Sequence, residues 1–128
     1  HQQNALKIAK FFSKQRKVKE VFYPFKKNTN QYKMWKKYYS GASGLMGIKV
    51  LSKNKNSVIK FLNKLKLFSY GYSWGGFESL ALYQDKLALG NRSYTKLNNN
   101  EHVIRLHIGL EDPNDLIADI KQAIKSIR

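Results

Sequence analysis

Residues 103–127 carry two periodicities back to back, and that pairing constrains the fold more than any other feature of the chain. In VIRLHI, Ile104, Leu106 and Ile108 recur at every second position, with Val103, Arg105 and His107 between them, as in a half-buried strand. A helix follows with its start signals in order: Asp112 as N-cap, Pro113 at the first helical position, and Asp115 near the positive end of the helix dipole. Leu116, Ile117, Ile120, Ala123, Ile124 and Ile127 then make an apolar stripe of about four turns. A strand with one apolar face, followed at once by a helix with one apolar face, specifies a sheet covered by helices.

The rest of the chain repeats that theme. Ala5, Ile8, Ala9 and Phe12 predict a helix over 3–17, and VKEVFY predicts a short strand over 18–23, stopped by Pro24. Residues 26–40 read as a loop with a turn or two of helix. LMGIKVL (45–51) is a strand after the flexible SGASG, and Val58, Ile59, Leu62 and Leu65 predict a second amphipathic helix over 56–65. Residues 67–72 read as a strand leading into YSWGGF, and 85–100, polar and ending in NNN, as a surface loop. The expected fold is α+β: a small, mostly antiparallel sheet covered by helices. At 128 residues, 42% of them hydrophobic, the chain is long enough for one packed domain, and it holds no internal repeat.

The net charge of +16 raises the question of a polyanion partner. It is unevenly placed: residues 1–70 hold 17 basic residues and one acid, Glu20, whereas 71–128 hold seven of each. KKNTNQYKMWKKYY (26–39) interleaves lysines with aromatics, as single-strand binders do. Yet there are 20 lysines to four arginines, and phosphate and base readers favour the planar arginine fork. Lysine is the ordinary solvated residue of helix faces, so composition is the favoured reading and a nucleic-acid or acidic-surface binding module over 1–70 the competing one. There is no cysteine, which removes disulfides and thiolate metal sites and fits a reducing, cytoplasmic setting. No apolar run approaches the roughly 18 residues that span a bilayer. The chain opens on HQQN rather than methionine and turns helical at once, the expected look of a piece of something longer.

Few residues promise chemistry from spacing alone. Three scattered histidines make no metal constellation. GASGLMG lacks the Lys-Ser/Thr of a phosphate loop and opens a strand rather than a helix. Ser73 has no recognisable His and Asp companions. Arg105 reads as an edge or solvent-facing arginine, and His107 as a packed or hydrogen-bonded strand histidine. The glycine pair in YSWGGFESL is either a tight turn or backbone that something approaches closely.

VIRLHIGLEDPNDLIADIKQAI (103–124) and YSWGGFESL (72–80) resemble matching segments of the cysteine/methionine-metabolism family of pyridoxal-phosphate (PLP) enzymes. GASGLMGIKV, NALKIAKFF and VKEVFYP fall in the family's order, so the resemblance runs over nearly the whole chain. The Ser-Trp-Gly-Gly form and His107 are most similar to the bacterial cystathionine β-lyase subgroup rather than to the γ-synthases and γ-lyases. The resemblance implies that residues 1–128 are the single C-terminal, substrate-capping domain of a cytoplasmic, homotetrameric carbon–sulfur lyase of transsulfuration and methionine biosynthesis. Its implied substrate is the amino acid cystathionine, its cofactor PLP. The central domain with the cofactor lysine is absent, so no catalytic lysine and no activity are expected in this fragment. Ser93-Tyr94-Thr95-Lys96 imitates the family's lysine motif but lies in the wrong place, between the two C-terminal motifs. Arg105 occupies the substrate-carboxylate position; Ser73, Trp74 and, less directly, Tyr72 line the same pocket, with the backbone of Gly75 and Gly76 close to the ligand.

Overall fold

The structure, a computed structural model, describes residues 1–27, 29–73, 76–85 and 96–128. Four helices and five strands are found among them: α1 (Gln2–Phe12), β1 (Val18–Phe22), α2 (Asn30–Tyr38), β2 (Leu45–Leu51), α3 (Lys55–Lys64), β3 (Phe68–Tyr70), β4 (Ser79–Gln84), β5 (Glu101–His107) and α4 (Pro113–Ile124). The strands form one sheet in the order β1-β2-β5-β4-β3, antiparallel throughout except for the parallel β3–β4 pair. The expected α+β class and mostly antiparallel sheet are what is observed.

The alternation in β5 sorts its residues as the sequence indicates. Ile104 and Leu106 enter one core with Ile48 and Val50 of β2, Ile8 and Phe12 of α1, Phe61 of α3 and Leu116 and Ile120 of α4. Each large aliphatic or aromatic side chain fully buried there is worth about 1.5–3 kcal/mol of transfer free energy, so this face holds the domain together. Asp112 caps α4 by accepting from the Asn114 N–H at 2.7 Å, with Pro113 in the first turn.

Four points differ from expectation. The first helix stops at Phe12 rather than 17, because the Ser13 hydroxyl and the Gln15 amide donate to the carbonyls of Ala9 and Phe11 and take the last turn out of the helical ladder. Asn30–Tyr38 is a regular helix, capped by Thr29, whose hydroxyl accepts from the Tyr32 N–H. It buries none of its residues and so shows no stripe facing a core; it is held at the sheet's margin by Trp35, whose ring meets that of Phe25 at 4.4 Å. The strand Ser79–Gln84 goes unread in the sequence because its first four residues are buried on both faces, leaving no alternation to detect. The expected strand 67–72 is shortened to Phe68–Tyr70.

Candidate functional site

Arg105 and His107 project from the central strand onto the sheet face away from the core. The register places Arg105 between Gly47 of β2 and Leu82 of β4, and His107 between Leu45 and Leu80. A strand alternates its side chains, so these neighbours share Arg105's face.

Both side chains reach the segment that joins β3 to β4. Arg105 Nη1 donates to the Tyr72 carbonyl at 2.9 Å, and His107 Nε2 donates to the Gly76 carbonyl at 3.0 Å. A carbonyl only accepts, so His107 carries its proton on Nε2 in this arrangement. The far end of the segment is fixed further: Leu110 N–H donates to the Phe77 carbonyl at 2.7 Å, and the Glu111 carboxylate accepts from both the Ser79 N–H and the Ser79 hydroxyl, at 2.7 and 2.8 Å. Gly109 is required here, because a Cβ on it would stand 2.2 Å from the Phe77 carbonyl oxygen. Gly76 differs. A Cβ there would meet nothing within 4 Å, so nothing in the described chain demands a glycine at this point.

Beside Arg105 lies an open groove of about 1020 Å³ whose walls include Phe22, Tyr23, Met34, Trp35 and Tyr39. Arg105 is the only charged residue lining it among the described residues. The next cation on that face, Lys49, is already engaged: its amine lies 3.1 Å from the Glu20 carboxylate and 5.4 Å from the centre of the Phe22 ring. Arg105 has no carboxylate partner among the described residues, and its hydrogen bond to Tyr72 occupies one of five N–H donors. A half-buried guanidinium in apolar surroundings, with most of its fork uncommitted, is built to take a planar anion such as a carboxylate. Tyr23, in the same wall, has its phenol pushed up to about 12 by burial, and donates to the Ser43 carbonyl at 2.9 Å.

Of the residues expected to form the site, Arg105 and Tyr72 are in contact through the Tyr72 carbonyl; the Tyr72 side chain itself is 75% exposed. Ser73 is exposed beside them, and Gly76 is tied to the same strand through His107. Trp74 and Gly75 lie outside the described residues, as do Ser93, Tyr94 and Thr95 of the imitation lysine motif; Lys96 is exposed. Sequence reasoning missed Gly47 and Phe22. The signal was available, since a glycine inside LMGIKVL marks a close approach across a strand.

The chain belongs to the Cys/Met metabolism PLP-dependent enzyme family, whose sequence profile matches residues 1–125. Among particular relatives, the chain is 36% identical to cystathionine β-lyase of Haemophilus influenzae over 99% of its own length and 33% of that protein. It is also 36% identical to L-alanine/L-glutamate racemase of Wolbachia pipientis over 97% of its length and 31% of that protein. A solved structure of a putative O-acetylhomoserine (thiol)-lyase from Campylobacter jejuni, which contains a pyridoxyl-lysine phosphate, superposes with a TM-score of 0.78 at 31% identity, over 98% of this chain and 28% of that one. The chain thus spans about a third of the length of the relatives it matches.

PLP needs an amine for its aldehyde and donors for its phosphate. No lysine lines the groove among the described residues, and its one cation already gives an arm to Tyr72. The described residues of the groove therefore lack the amine that the cofactor's aldehyde needs and do not fit its seat.

Proposed function

We propose that this chain is the C-terminal, substrate-capping domain of a PLP-dependent carbon–sulfur lyase, and that the reaction is β-elimination of cystathionine. With water, that reaction gives homocysteine, pyruvate and ammonia. PLP and its lysine would come from the polypeptide that precedes this domain in the longer relatives, within a homotetrameric cytoplasmic enzyme. The observation that carries the reading is Arg105, the one charged side chain among the described residues of an apolar groove wall, with most of its fork uncommitted. Holding the α-carboxylate in a bidentate grip would fix rotation about the substrate's N–Cα bond, and so which Cα substituent is labilised. The names of the relatives favour β-lyase, but γ-lyases at 31–35% identity and a racemase stand close behind. Ser73, Trp74 and His107 are the residues that tip the assignment. The lysine excess is read as solvated helix faces, such as exposed Lys7 and Lys10 on α1 and Lys60 and Lys64 on α3.

The test is a chimera joining the first two thirds of the H. influenzae enzyme to this chain. It should release pyruvate and thiol from cystathionine, and Arg105→Leu should cut kcat/KM by about a hundredfold or more. An unchanged kcat/KM would remove Arg105 from the site. A chimera that folds and binds PLP but leaves cystathionine intact would overturn the β-lyase assignment.

A further inference from the structure

The groove beside Arg105 is longer than a carboxylate needs, and its far end has a character of its own. Phe22, Gly47 and Arg105 stand in one row across β1, β2 and β5. Adjacent strands lie about 4.8 Å apart, so Phe22 and Arg105 are about 10 Å apart at the backbone. Between them Gly47 contributes no side chain, and the Phe22 ring leans over it, 3.3 Å from where its Cβ would be. The outer wall comes from α2 and the residue that follows it, which present Met34, Trp35 and Tyr39. Three contacts hold the Trp35 indole: its ring packs on Phe25 at 4.4 Å and stacks on Tyr32 at 5.5 Å, and its N–H donates to the Gly41 carbonyl at 3.2 Å. An aromatic wall fixed before a ligand arrives costs little entropy to use. No Asp, Glu or Lys lines the groove among the described residues. A second charge on the ligand, of either sign, would therefore lose water there and find no charged partner.

We propose that this groove binds a carboxylate that carries an aromatic or branched apolar body and no second charge, an arylalkanoate being the simplest case. The carboxylate pairs with the uncommitted N–H donors of Arg105, and the body lies over Gly47 against Phe22, Met34 and Trp35. Charge complementarity chooses the sign: a wall with one guanidinium and no described carboxylate attracts an anion and repels an amine. The aromatic wall chooses the body. The proposal rests on the reading of Arg105 as a carboxylate receptor and names what the rest of the groove takes. Cystathionine ends in a second ammonium and a second carboxylate, for which the described walls hold no charged partner. The groove therefore adds a ligand class to the site, acids with an uncharged apolar end, and the distal end of cystathionine is not what this wall serves.

The probe is 4-phenylbutyrate, titrated into the chain labelled with ¹³C at its methionine methyl groups. The chain has two methionines, Met34 and Met46, and both line the groove. Saturable shifts of both methyl signals are expected, with 4-phenylbutyrate binding about tenfold or more tightly than propionate, which keeps the carboxylate and lacks the body. 4-Phenylbutylamine, the same body with the opposite charge, should leave the signals in place. Arg105→Leu should weaken binding of the anion by about tenfold. Met34 is 63% exposed on a helix that buries none of its residues, so Met34→Glu keeps the fold. It should weaken binding, read at Met46, by about fivefold. Lys7→Gln lowers the net charge by the same single unit at an exposed site on α1 and should change nothing. The proposal is overturned if 4-phenylbutyrate binds no more tightly than propionate, if the amine binds as well, or if Arg105→Leu binds it as the parent does. It is also overturned if Lys7→Gln weakens binding as much as Met34→Glu, which would reveal attraction to net charge alone. The expected binding pattern beside a chimera that leaves cystathionine intact would count against the lyase reading and support the groove's ligand class on its own.

Discussion

Gly47 stands directly opposite Arg105 across the β2–β5 ladder, and the Phe22 ring occupies the space a side chain at 47 would take. A Cβ on Gly47 would approach Phe22 Cδ2 to 3.3 Å, a contact with a side chain that can turn aside. Gly44, three residues earlier, has no such freedom: its Cβ would lie 2.2 Å from the Ile108 carbonyl oxygen, in the backbone just past the end of β5. Gly47→Ala should therefore cost about 1 kcal/mol or less, whereas Gly44→Ala should cost about 3 kcal/mol or more. Urea denaturation of both variants checks this. Equal losses would mean that Phe22 is as immovable as backbone.

Gly76 gives a different prediction, because no neighbour among the described residues and no left-handed backbone requires it. Gly76→Ala should leave the stability of the chain within about 0.5 kcal/mol of the parent, or raise it slightly by restricting the unfolded state. In the chimera the same change should lower kcat/KM by at least tenfold, if substrate or the preceding domain approaches this backbone closely. A variant that is both stable and fully active would leave the glycine without a functional reason.

The direction of Arg105 was legible in the sequence; its surroundings were not. Strict alternation from Val103 to Ile108 already puts Arg105 and His107 opposite the core set, and the structure keeps them there. What Arg105 faces depends on the register of β2 against β5, a pairing of residues almost sixty positions apart that no local pattern encodes. The same limit hid β4, whose Leu80 and Leu82 are buried on the face opposite Ala81. Resemblance to the family is the source of the role proposed for Arg105, which spacing alone leaves as an ordinary strand arginine. The clasp by His107 was visible to neither reading, since its partner is a backbone carbonyl and carbonyls carry no sequence signal.

Lys96 offers a direct test of where the cofactor amine resides. It is exposed and is not among the residues that line the groove beside Arg105. The isolated chain mixed with PLP should develop no visible absorbance band that Lys96→Ala removes. A stoichiometric, Lys96-dependent band would make this chain a cofactor-binding unit in its own right.

Tyr23 predicts a loss of stability in alkali. Its phenol sits near pKa 12 in the folded chain, because burial disfavours the charged form, against an ordinary value near 10 in the unfolded one. The group's contribution is whole below about pH 10 and lost progressively as pH rises toward 12, where the unfolded chain has given up its proton more readily. Tyr23→Phe should remove this component from the pH dependence of unfolding, at a cost of about 1 kcal/mol near neutrality for the lost hydrogen bond to Ser43. If the variant's alkaline midpoint coincides with that of the parent, Tyr23 is not the group responsible.

Glu101 predicts the acid side. Its carboxylate accepts from the Lys19 amine and, at 3.0 Å, from the Asn98 N–H; the Lys19 hydrogen bond is the main reason its pKa lies below the ordinary carboxylate value, and burial works against it. A folded pKa lower than the unfolded one means that the unfolded chain takes up the proton first as acid is added. The stabilisation is therefore complete well above the unfolded value of about 4.3 and falls away as pH descends through the lower folded pKa. Removing the carboxylate should flatten that part of the curve: Glu101→Gln is expected to be less stable than the parent at pH 7, with the difference shrinking steadily below pH 4.5 or so. Lys19→Met should act in the same direction, since it takes away the principal cause of the shift. Denaturation midpoints of the three proteins between pH 2 and pH 7 decide the matter, and parallel curves across that range would show that the Lys19–Glu101 pair does not couple folding to protons.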